Sequence, residues 1–437
     1  MPRRRLGAGA GVRGSGLDKF VINGGRHLKG TVAVTSSKNS TLPIICASLL
    51  ASTGRTVLRD IPDLVDIRTA VQVCQHLGAS AAYDPKSRTV AINAALVDGD
   101  NVPYDLMRRM RASFLYLGTL LSRVRRARVS LPGGCAFGPR PVDLHIKGFE
   151  ALGVKFNEEH GYLVGDGRSM KSGTIVFDRP THTGTENVMI GAALLPGETM
   201  IVNAACDPEI ADVADFMNRM GAKIQGAGTA TIRIQGVRKL KGVEYRPIPD
   251  RLEAGTFMMA AVITKGAVEL SHVRPDHLTA VSVKLRDMGA RVEEKKTSVF
   301  VQGPRKIWPT RVATFAYPGF PTDLQPTLLP VLAVADGASL LSETVFPNRF
   351  SHVMELARMG ADIQVTGDEA RIAGVPFLRG ASVMASDIRA GAGLVTAALG
   401  AKGQSEVLRV YHIDRGYESL EEKLRQLGAD IKRVEDG

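Results

Sequence analysis

The chain has 437 residues, a formal net charge of +12 and a hydrophobic content of 44%. This size and composition are typical of a soluble globular protein with two domains, and no apolar run approaches the roughly 20 residues that a transmembrane helix needs. The positive charge fits nucleic acid or small anionic substrates. However, aromatic residues make up only 5% of the chain and no basic stripe alternates with them, which disfavours a surface that stacks single-stranded nucleic acid.

The N-terminal segment, residues 1–16, contains four arginines but no apolar stretch behind them. This pattern predicts a disordered basic tail and not a secretory signal peptide. Farther along, the four cysteines are widely separated and form no CxxC pair. Their spacing argues against a zinc site or a disulfide framework and favours a reducing cytoplasm. Cys46 and Cys74 lie in apolar helical patterns and are predicted to be buried, whereas Cys135 lies in a loop.

Six repeats cover the rest of the chain. In each repeat a helical stretch ends with an apolar residue and a glycine, and an alternating strand pattern follows, as in CQHLGASAAYD. A glycine at this place is typical of the left-handed residue just past a helix end. The six glycines are 68 to 75 residues apart: Gly78, Gly153, Gly221, Gly289, Gly360 and Gly428.

Each repeat also contains an earlier helix that is rich in small residues and apolar on nearly every side, as in RLEAGTFMMAAVITKG. Such helices are expected inside a domain and not on its surface. Six units of two helices and about four short strands therefore predict two α/β domains of three repeats, with sheets outside and helices within. We assign residues 38–248 to the first domain, and residues 17–37 together with 249–437 to the second.

Polar residues stand at the start of these buried helices. A helix N-terminus has unpaired N–H groups and a positive dipole end, so we expect the six N-termini to face a cleft between the domains and to bind something anionic. Ordinary capping by Asp, Ser or Thr is the alternative at any single position, but it does not explain Lys38, Arg111 or Arg389, because a cation is disfavoured at this end. The residues concerned are Lys38 and Asn39, Arg111, 181–187 (THTGTEN), Asp250 and Arg251, Asp323, and Asp387 and Arg389.

Cys135 lies in the segment SLPGGCAFGPRPVDLHIKG, residues 130–148, with Arg140 and Asp143 close behind it. A thiol in a glycine-rich loop near cations is expected to have a lowered pKa and to react as a nucleophile or as a general acid. A papain-like hydrolase is weakly supported, because no conspicuous base motif stands beside the thiol. His145 is more typical of a structural histidine.

Eight motifs follow one another along residues 17–434: SSKNSTLPI, MRASFLYLG, LPGGCAFGPRPVDLHIKGFEALG, PDRLEAGTF, FPTDLQ, ETVFPNRF, SDIRAGAGL and YHIDRGYE. Together they resemble the enolpyruvyl transferases, in particular the branch that acts on UDP-N-acetylglucosamine. The resemblance implies two inside-out α/β domains, each of three βαββαβ units, facing across a cleft. It also implies transfer of the enolpyruvyl group of phosphoenolpyruvate to the 3-hydroxyl of UDP-N-acetylglucosamine with release of phosphate. This is the first committed step of peptidoglycan precursor synthesis in the cytoplasm, and it requires no metal or organic cofactor.

The resemblance further implies roles for single residues. Cys135 matches the proton donor to C3 of phosphoenolpyruvate, which can also carry a covalent adduct, and Asp323 matches the base that takes the proton of the attacking hydroxyl. Lys38 and Arg415 match further catalytic positions, and the loop around Cys135 is expected to close as a lid. The phosphoenolpyruvate site is matched by Lys38, Asn39, Arg140, Arg349, Arg389 and Arg415. The UDP-N-acetylglucosamine site is matched by Arg111, Arg140, Pro141, Val142, Asp143, Leu144, Asp323 and Val345.

Residues 181–189 (THTGTENVM), Pro139 and Pro347 depart from the family's usual pattern, but no catalytic group is removed. The same chemistry on another acceptor, such as a nucleoside or shikimate 3-phosphate, is an alternative, although the Cys135 loop disfavours the shikimate branch, which works without that thiol. A non-catalytic basic repeat protein that binds RNA or DNA is an alternative from another class. It predicts steep salt dependence and a continuous basic face, whereas the cations here fall at separated repeat positions.

Overall fold

The six repeat glycines have positive φ angles, between 89° and 109°. Each follows the end of a helix and precedes a strand. A residue with a Cβ rarely adopts this backbone conformation, so glycine at this position lets the chain leave the helix sharply and enter the sheet. The predicted helix–glycine–strand unit is therefore confirmed in all six repeats.

The computed structural model describes residues 18–108, 110–130 and 142–435, without the side chain of Arg111. Four 3₁₀ helices in this part span Arg111–Leu115, Pro275–Leu278, Thr322–Leu324 and Val410–Arg415. The α-helices are α1 Lys38–Ser48, α2 Val65–His76, α3 Tyr104–Met107, α4 Tyr116–Arg123, α5 Asp143–Ala151, α6 His182–Ala192, α7 Pro208–Met220, α8 Arg251–Ile263, α9 Thr279–Asp287, α10 Gln325–Ala333, α11 Val353–Arg358, α12 Ile388–Gly400 and α13 Leu420–Gln426.

The strands are short and come from the whole length of the chain. They are β1 Asp18–Asn23, β2 Lys29–Ala33, β3 Ala51–Thr53, β4 Thr56–Leu58, β5 Ser80–Asp84, β6 Thr89–Asn93, β7 Arg126–Ser130, β8 Lys155–Glu159, β9 Tyr162–Asp166, β10 Thr174–Val176, β11 Glu198–Val202, β12 Lys223–Gln225, β13 Thr231–Gln235, β14 Leu240–Lys241, β15 Glu244–Tyr245, β16 Ala267–Ser271, β17 Arg291–Glu294, β18 Ser298–Gln302, β19 Arg311–Thr314, β20 Ala338–Glu343, β21 Asp362–Thr366, β22 Glu369–Ala373, β23 Ser382–Met384, β24 Gln404–Leu408 and β25 Asp430–Glu435.

The sheets repeat one topology. Among the described residues, the four-stranded sheets are β15-β4-β6-β5, β10-β11-β13-β12, β17-β18-β16-β2, β19-β20-β22-β21 and β23-β24-β1-β25. Each of them has one parallel pair at an edge, and its other pairs are antiparallel. A three-stranded sheet, β7-β9-β8, and the pair β14-β3 complete the set. The strands β1 and β2 join sheets whose other strands lie more than 230 residues farther along the chain.

Apolar side chains of the described residues form two buried clusters. The first core contains residues from Leu42 to Tyr245. The second core contains residues from Phe20 to Val34 and from Leu252 to Ile431. The helices α1, α4 and α6 are buried in the first core, and α8, α10 and α12 are buried in the second. The predicted fold class, two α/β units with buried central helices, is confirmed.

Small residues let the central helices approach one another closely. A Cβ on Gly118 of α4 would lie 2.2 Å from the backbone oxygen of Asn187 in α6, and a Cβ on Gly393 of α12 would lie 2.2 Å from that of Pro326 in α10. Real Cβ atoms do not come this near, so a larger residue would push the helices apart. No helix in the described part of the chain is long and apolar enough to cross a membrane.

Candidate active site

Lys38 is the first residue of α1 and lies almost completely buried. The sequence pattern predicted that Lys38 and Asn39 precede the helix, but the helix begins two residues earlier and includes both. Ser37 is the N-cap, and its side chain accepts a hydrogen bond from the Ser40 N–H at 3.3 Å. Burial lowers the pKa of Lys38, and the nearby Arg389 and Arg415 lower it further, while Asp66 opposes them. A cation is thus kept at a helix N-terminus, where the macrodipole disfavours it.

Asp66 compensates for this unfavourable position. It lies in the first turn of α2, its Oδ2 is 3.4 Å from Lys38 Nζ, and its Oδ1 accepts a hydrogen bond of 3.1 Å from Arg415 Nε. Lys38 belongs to the segment around the first core, whereas Arg415 ends the 3₁₀ helix Val410–Arg415 beside the second core. Asp66 therefore brings two predicted phosphoenolpyruvate ligands together across the two cores. The sequence did not reveal Asp66, because an Asp at the start of a helix is ordinarily explained by the dipole.

Asp323 lies in the 3₁₀ helix Thr322–Leu324 that leads into α10. Neither this helix nor α10 has a side-chain cap at its start, so helix capping is not the role of Asp323. Its Oδ1 is 2.7 Å from Arg349 Nη1, and its Oδ2 accepts a hydrogen bond of 3.1 Å from Arg389 Nε. The structure thus places the predicted base against two predicted phosphoenolpyruvate ligands, and the Asp323 side chain stays 26% exposed.

Arg389 is held by the start of α12. Asp387 caps this helix, and its Oδ1 accepts hydrogen bonds from the backbone N–H of Arg389 and of Ala390 at 2.9 and 3.1 Å. Burial would lower the pKa of Arg389, but Tyr417, Asp323 and Asp250 hold it above its usual value. The buried Nη1 of Arg389 has no hydrogen-bond partner among the described residues. A charged donor in this state costs free energy unless a ligand or water completes its bonds.

Glu343 is a second residue to which the sequence assigned no role, although it begins the motif ETVFPNRF. It is fully buried at the end of β20, and its Oε1 accepts hydrogen bonds from the backbone N–H of Val345 and Phe346 at 3.0 and 2.9 Å. Its Oε2 accepts a hydrogen bond from Thr322 Oγ1, the residue next to Asp323. Glu343 therefore connects two parts of the predicted site. One is the turn that contains Val345, the predicted contact to the sugar, and the other is the 3₁₀ helix that contains Asp323, the predicted base.

The remaining predicted residues belong to the part around the first core. Asn39 follows Lys38 in α1 and is partly exposed. Arg111 begins the 3₁₀ helix that precedes α4. Val142 precedes α5, Asp143 starts it, and Leu144 is buried in it. Cys135, Arg140 and Pro141 lie outside the described residues, as do Pro139 and the predicted N-terminal tail.

Three residues outside the predicted site have the structural roles expected of them. His145 is buried, with its Nε2 3.2 Å from Thr183 Oγ1 and its Nδ1 2.9 Å from Asn187 Nδ2. Cys46 and Cys74 are also buried, and burial raises the pKa of Cys46 far above its usual value and that of Cys74 to about 12. These two thiols are therefore poor nucleophiles.

A second charged cluster lies at the start of α7, where residues of α6 and α8 approach Asp207 and Glu209. Arg251 of α8 donates to Glu209 Oε1 at 3.0 Å and to Asp207 Oδ1 at 2.8 Å. His182 of α6 lies between two carboxylates, with its Nδ1 3.6 Å from Glu186 and its Nε2 3.8 Å from Glu209. Although burial lowers the pKa of His182, these carboxylates raise it to about 10. His182, Asp207 and Glu209 have the spacing of metal ligands, but the Arg251 guanidinium already pairs with both carboxylates.

The chain is similar to known proteins over nearly its whole length. The profile of the EPSP synthase (3-phosphoshikimate 1-carboxyvinyltransferase) family matches residues 22–424. A UDP-N-acetylglucosamine 1-carboxyvinyltransferase of Desulfosudis oleivorans is 49% identical over 96% of this chain and 100% of its own. The enzyme named UDP-N-acetylglucosamine 1-carboxyvinyltransferase 2 of Carboxydothermus hydrogenoformans is 50% identical, with the same coverage of both chains.

Two solved structures share the fold. The enolpyruvyl transferase NikO from Streptomyces tendae is 26% identical, has a TM-score of 0.86, and is matched over 96% of this chain and 99% of its own. The EPSP synthase from Acinetobacter baumannii is 19% identical, with a TM-score of 0.71 over 95% of this chain and 100% of its own. The second likeness is one of fold alone.

Proposed function

Because the chain belongs to the enolpyruvyl transferase family, we propose that it transfers the enolpyruvyl group of phosphoenolpyruvate to the 3-hydroxyl of UDP-N-acetylglucosamine and releases phosphate. The similarity to UDP-N-acetylglucosamine 1-carboxyvinyltransferases at 49 and 50% identity supports this acceptor. The reaction would supply peptidoglycan precursors in the cytoplasm. The free cysteines Cys46, Cys74 and Cys206 are in keeping with a reducing compartment.

The observation that carries the proposal is an excess of positive charge in the cleft. The ion pairs of four cations in the described part of the chain, Lys38, Arg349, Arg389 and Arg415, are made with Asp66 and Asp323, and Asp250 is a third carboxylate that acts on Arg389. A substrate with a phosphate and a carboxylate would neutralise the surplus and would give the buried Arg389 Nη1 a partner. These cations lie between two cores and not on an open basic face, which favours a small anionic substrate over nucleic acid.

The residues can be given roles in the chemistry. Cys135 would donate a proton to C3 of phosphoenolpyruvate, which makes C2 electrophilic. The 3-hydroxyl oxygen then attacks C2 while Asp323 takes the hydroxyl proton. The bond from C2 to the phosphate oxygen then breaks, C3 returns a proton to the Cys135 thiolate, and the enol ether is formed. The proton held by Asp323 leaves with the released phosphate. Lys38, Arg349, Arg389 and Arg415 would hold the negative charges through these steps.

The acceptor is proposed to bind to residues around the first core and to the turn around Val345. Arg111, Arg140, Pro141, Val142, Asp143 and Leu144 would bind the uridine nucleotide, with Asp323 and Val345 at the sugar and Asn39 beside phosphoenolpyruvate. We propose residues 38–248 as one domain and residues 17–37 with 249–437 as the other. The membership of the two buried apolar clusters supports this division.

The direct test is phosphate release from phosphoenolpyruvate in the presence of UDP-N-acetylglucosamine. We expect release with this acceptor and none with shikimate 3-phosphate or with an unphosphorylated nucleoside. Release with another of these acceptors only would overturn the acceptor assignment and keep the reaction type. No release with any of them would contradict the proposed function.

A further inference from the structure

Glu418 joins the parts of the chain that hold the two cores. It lies just before α13, beside the second core, and its carboxylate contacts the segment between β4 and α2, beside the first core. Its Oε1 accepts a hydrogen bond of 2.7 Å from the backbone N–H of Asp63, and its Oε2 accepts one of 2.7 Å from Arg88 Nη1. The Glu418 side chain is only 14% exposed. Both bonds are short and charge-assisted, which makes them stronger than ordinary exposed ion pairs.

This contact lies beside the one that unites the candidate active site. Arg415 precedes Glu418 by three residues, and Asp66 follows Asp63 by three residues. The same two segments are thus connected twice, by Arg415 with Asp66 and by Glu418 with Asp63. Backbone hydrogen bonds from the N–H of Gly416 and Tyr417 to Ile413 make the connection between Arg415 and Glu418 compact. A shift of Glu418 away from Asp63 would therefore carry Arg415 away from Asp66.

The backbone around Glu418 is held in conformations that most residues avoid. Asp60, Arg88 and Ser419 have φ angles of 61°, 51° and 46°. Asp60 accepts a hydrogen bond from Arg88 Nε at 3.2 Å, and Ser419 directly follows Glu418. A left-handed conformation at a residue other than glycine costs free energy and persists where the surrounding contacts determine it. Three residues with left-handed backbone conformations therefore lie around the contact that Glu418 makes with Asp63 and Arg88.

We propose that Glu418 is a positioning residue of the reaction. By tying its segment to Asp63 and Arg88, it holds Arg415 on Asp66 beside Lys38, where the two cations can meet the anionic substrate together. Glu418 ends the motif YHIDRGYE but has no assigned role in the predicted site, and its hydrogen-bond partners in the described part of the chain are Asp63 and Arg88, not Lys38 or Asp66. The inference rests on the proposed function for its catalytic meaning, whereas the tether itself is a property of the fold.

The test compares Glu418→Ala with a matched control, Glu198→Ala. Glu198 also pairs with an arginine, Arg233 Nη1 at 2.9 Å, but that pair is exposed and lies within one sheet. We expect Glu418→Ala to raise KM for phosphoenolpyruvate about tenfold, because fewer molecules have Arg415 in place before the substrate binds. The kcat at saturating substrate and the KM for UDP-N-acetylglucosamine should stay within about twofold. The control should leave all three constants unchanged.

A second variant, Arg88→Gln, tests the contact from its other side. It should raise the same KM, and the double variant should be no worse than the poorer single variant, since both variants remove the contact between Arg88 and Glu418. Hydrogen exchange of the peptide covering residues 60–66 gives a readout that is independent of activity. It should become faster in Glu418→Ala and stay unchanged in the control.

Each outcome decides a part of the inference. A KM for phosphoenolpyruvate within twofold of wild type in Glu418→Ala overturns the positioning role, even if exchange becomes faster. Unchanged exchange at residues 60–66 overturns the tether. If the wild-type protein releases no phosphate with any acceptor, the proposed function fails together with the positioning role, and faster exchange then supports the tether alone.

Discussion

Asp66 and Asp323 are two carboxylates that each pair with two cations but differ in their exposure to solvent. Each contacts two cations: Lys38 and Arg415 in one case, Arg349 and Arg389 in the other. The Asp66 side chain is only 3% exposed and its partners come from both sides of the cleft, whereas Asp323 is 26% exposed and both of its partners lie beside the second core.

The difference in exposure separates two tasks. A carboxylate that is fully enclosed by cations can hold them in position, but a substrate hydroxyl has no path to it. A carboxylate that is held by two arginines and still reaches the cleft can accept a proton from a bound substrate. We therefore infer that Asp66 organises the site and that Asp323 takes part in the chemistry.

The largest effect is expected for Asp323→Asn. The amide keeps the size of the side chain but cannot accept the hydroxyl proton, so kcat should fall by about 10²–10⁴-fold with little change in either KM. Steady-state phosphate release measures both constants. Asp287→Asn, at an exposed residue that pairs with Lys284 at 3.1 Å, is the control. Near-normal turnover in Asp323→Asn would remove Asp323 from the chemistry.

Asp66→Asn should affect binding more than turnover. The change leaves Lys38 and Arg415 without their shared carboxylate, so we expect KM for phosphoenolpyruvate to rise by about tenfold or more. The loss of one partner of a buried ion pair should also lower the free energy of unfolding by about 3 kcal/mol, as measured with urea. If kcat falls as in Asp323→Asn while KM stays normal, the division of tasks between the two carboxylates is wrong.

Arg389→Lys should have a smaller effect. Lysine keeps the charge but has no fork with which to contact Asp323 and a substrate anion at the same time. Because Arg349 still holds Asp323, kcat should change little, and KM for phosphoenolpyruvate should rise by roughly fivefold. Arg233→Lys, at an exposed ion pair, serves as the comparison. A fall in kcat as large as that of Asp323→Asn would show that Arg349 alone does not position the base.

The smallest effect concerns the pH dependence of stability at His182, which lies beside Glu209, a buried carboxylate that pairs with Arg251 across the cores. The carboxylates around His182 raise its pKa in the folded protein from 6.5 to about 10. The stabilisation by protonated His182 is therefore lost as the pH rises from about 6.5 toward 10, and burial raises the pKa of its neighbour Glu186 to about 8, so that this partner ionises within the same range. The melting temperature of wild type should exceed that of His182→Gln by about 2 °C or more at pH 6.5, and this difference should shrink by pH 10. A constant difference would contradict the raised pKa.

The sequence predicted the repeats more completely than the site. A glycine after a helix end and an apolar helix have local causes, so the six turns and the buried helices could be recognised from short stretches. The motifs also pointed to Lys38, Asp323, Arg349, Arg389 and Arg415, which the structure brings together in two groups. The sequence assigned no role to Asp66, Glu343 or Glu418, although Glu343 begins the motif ETVFPNRF and Glu418 ends the motif YHIDRGYE. Each resembles an ordinary acidic residue near the end of a helix or strand.

Residue order determines the local elements of this protein, since helix termination, strand alternation and burial of an apolar helix follow from side chains a few positions apart. The partners of its charged residues, however, depend on tertiary packing. Asp66 meets Arg415 across 349 positions of the chain, and Glu418 meets Arg88 across 330. Burial then determines the role of each ion pair. A carboxylate from which water is excluded can only hold its cations in position, whereas one that a substrate can reach can act as a base.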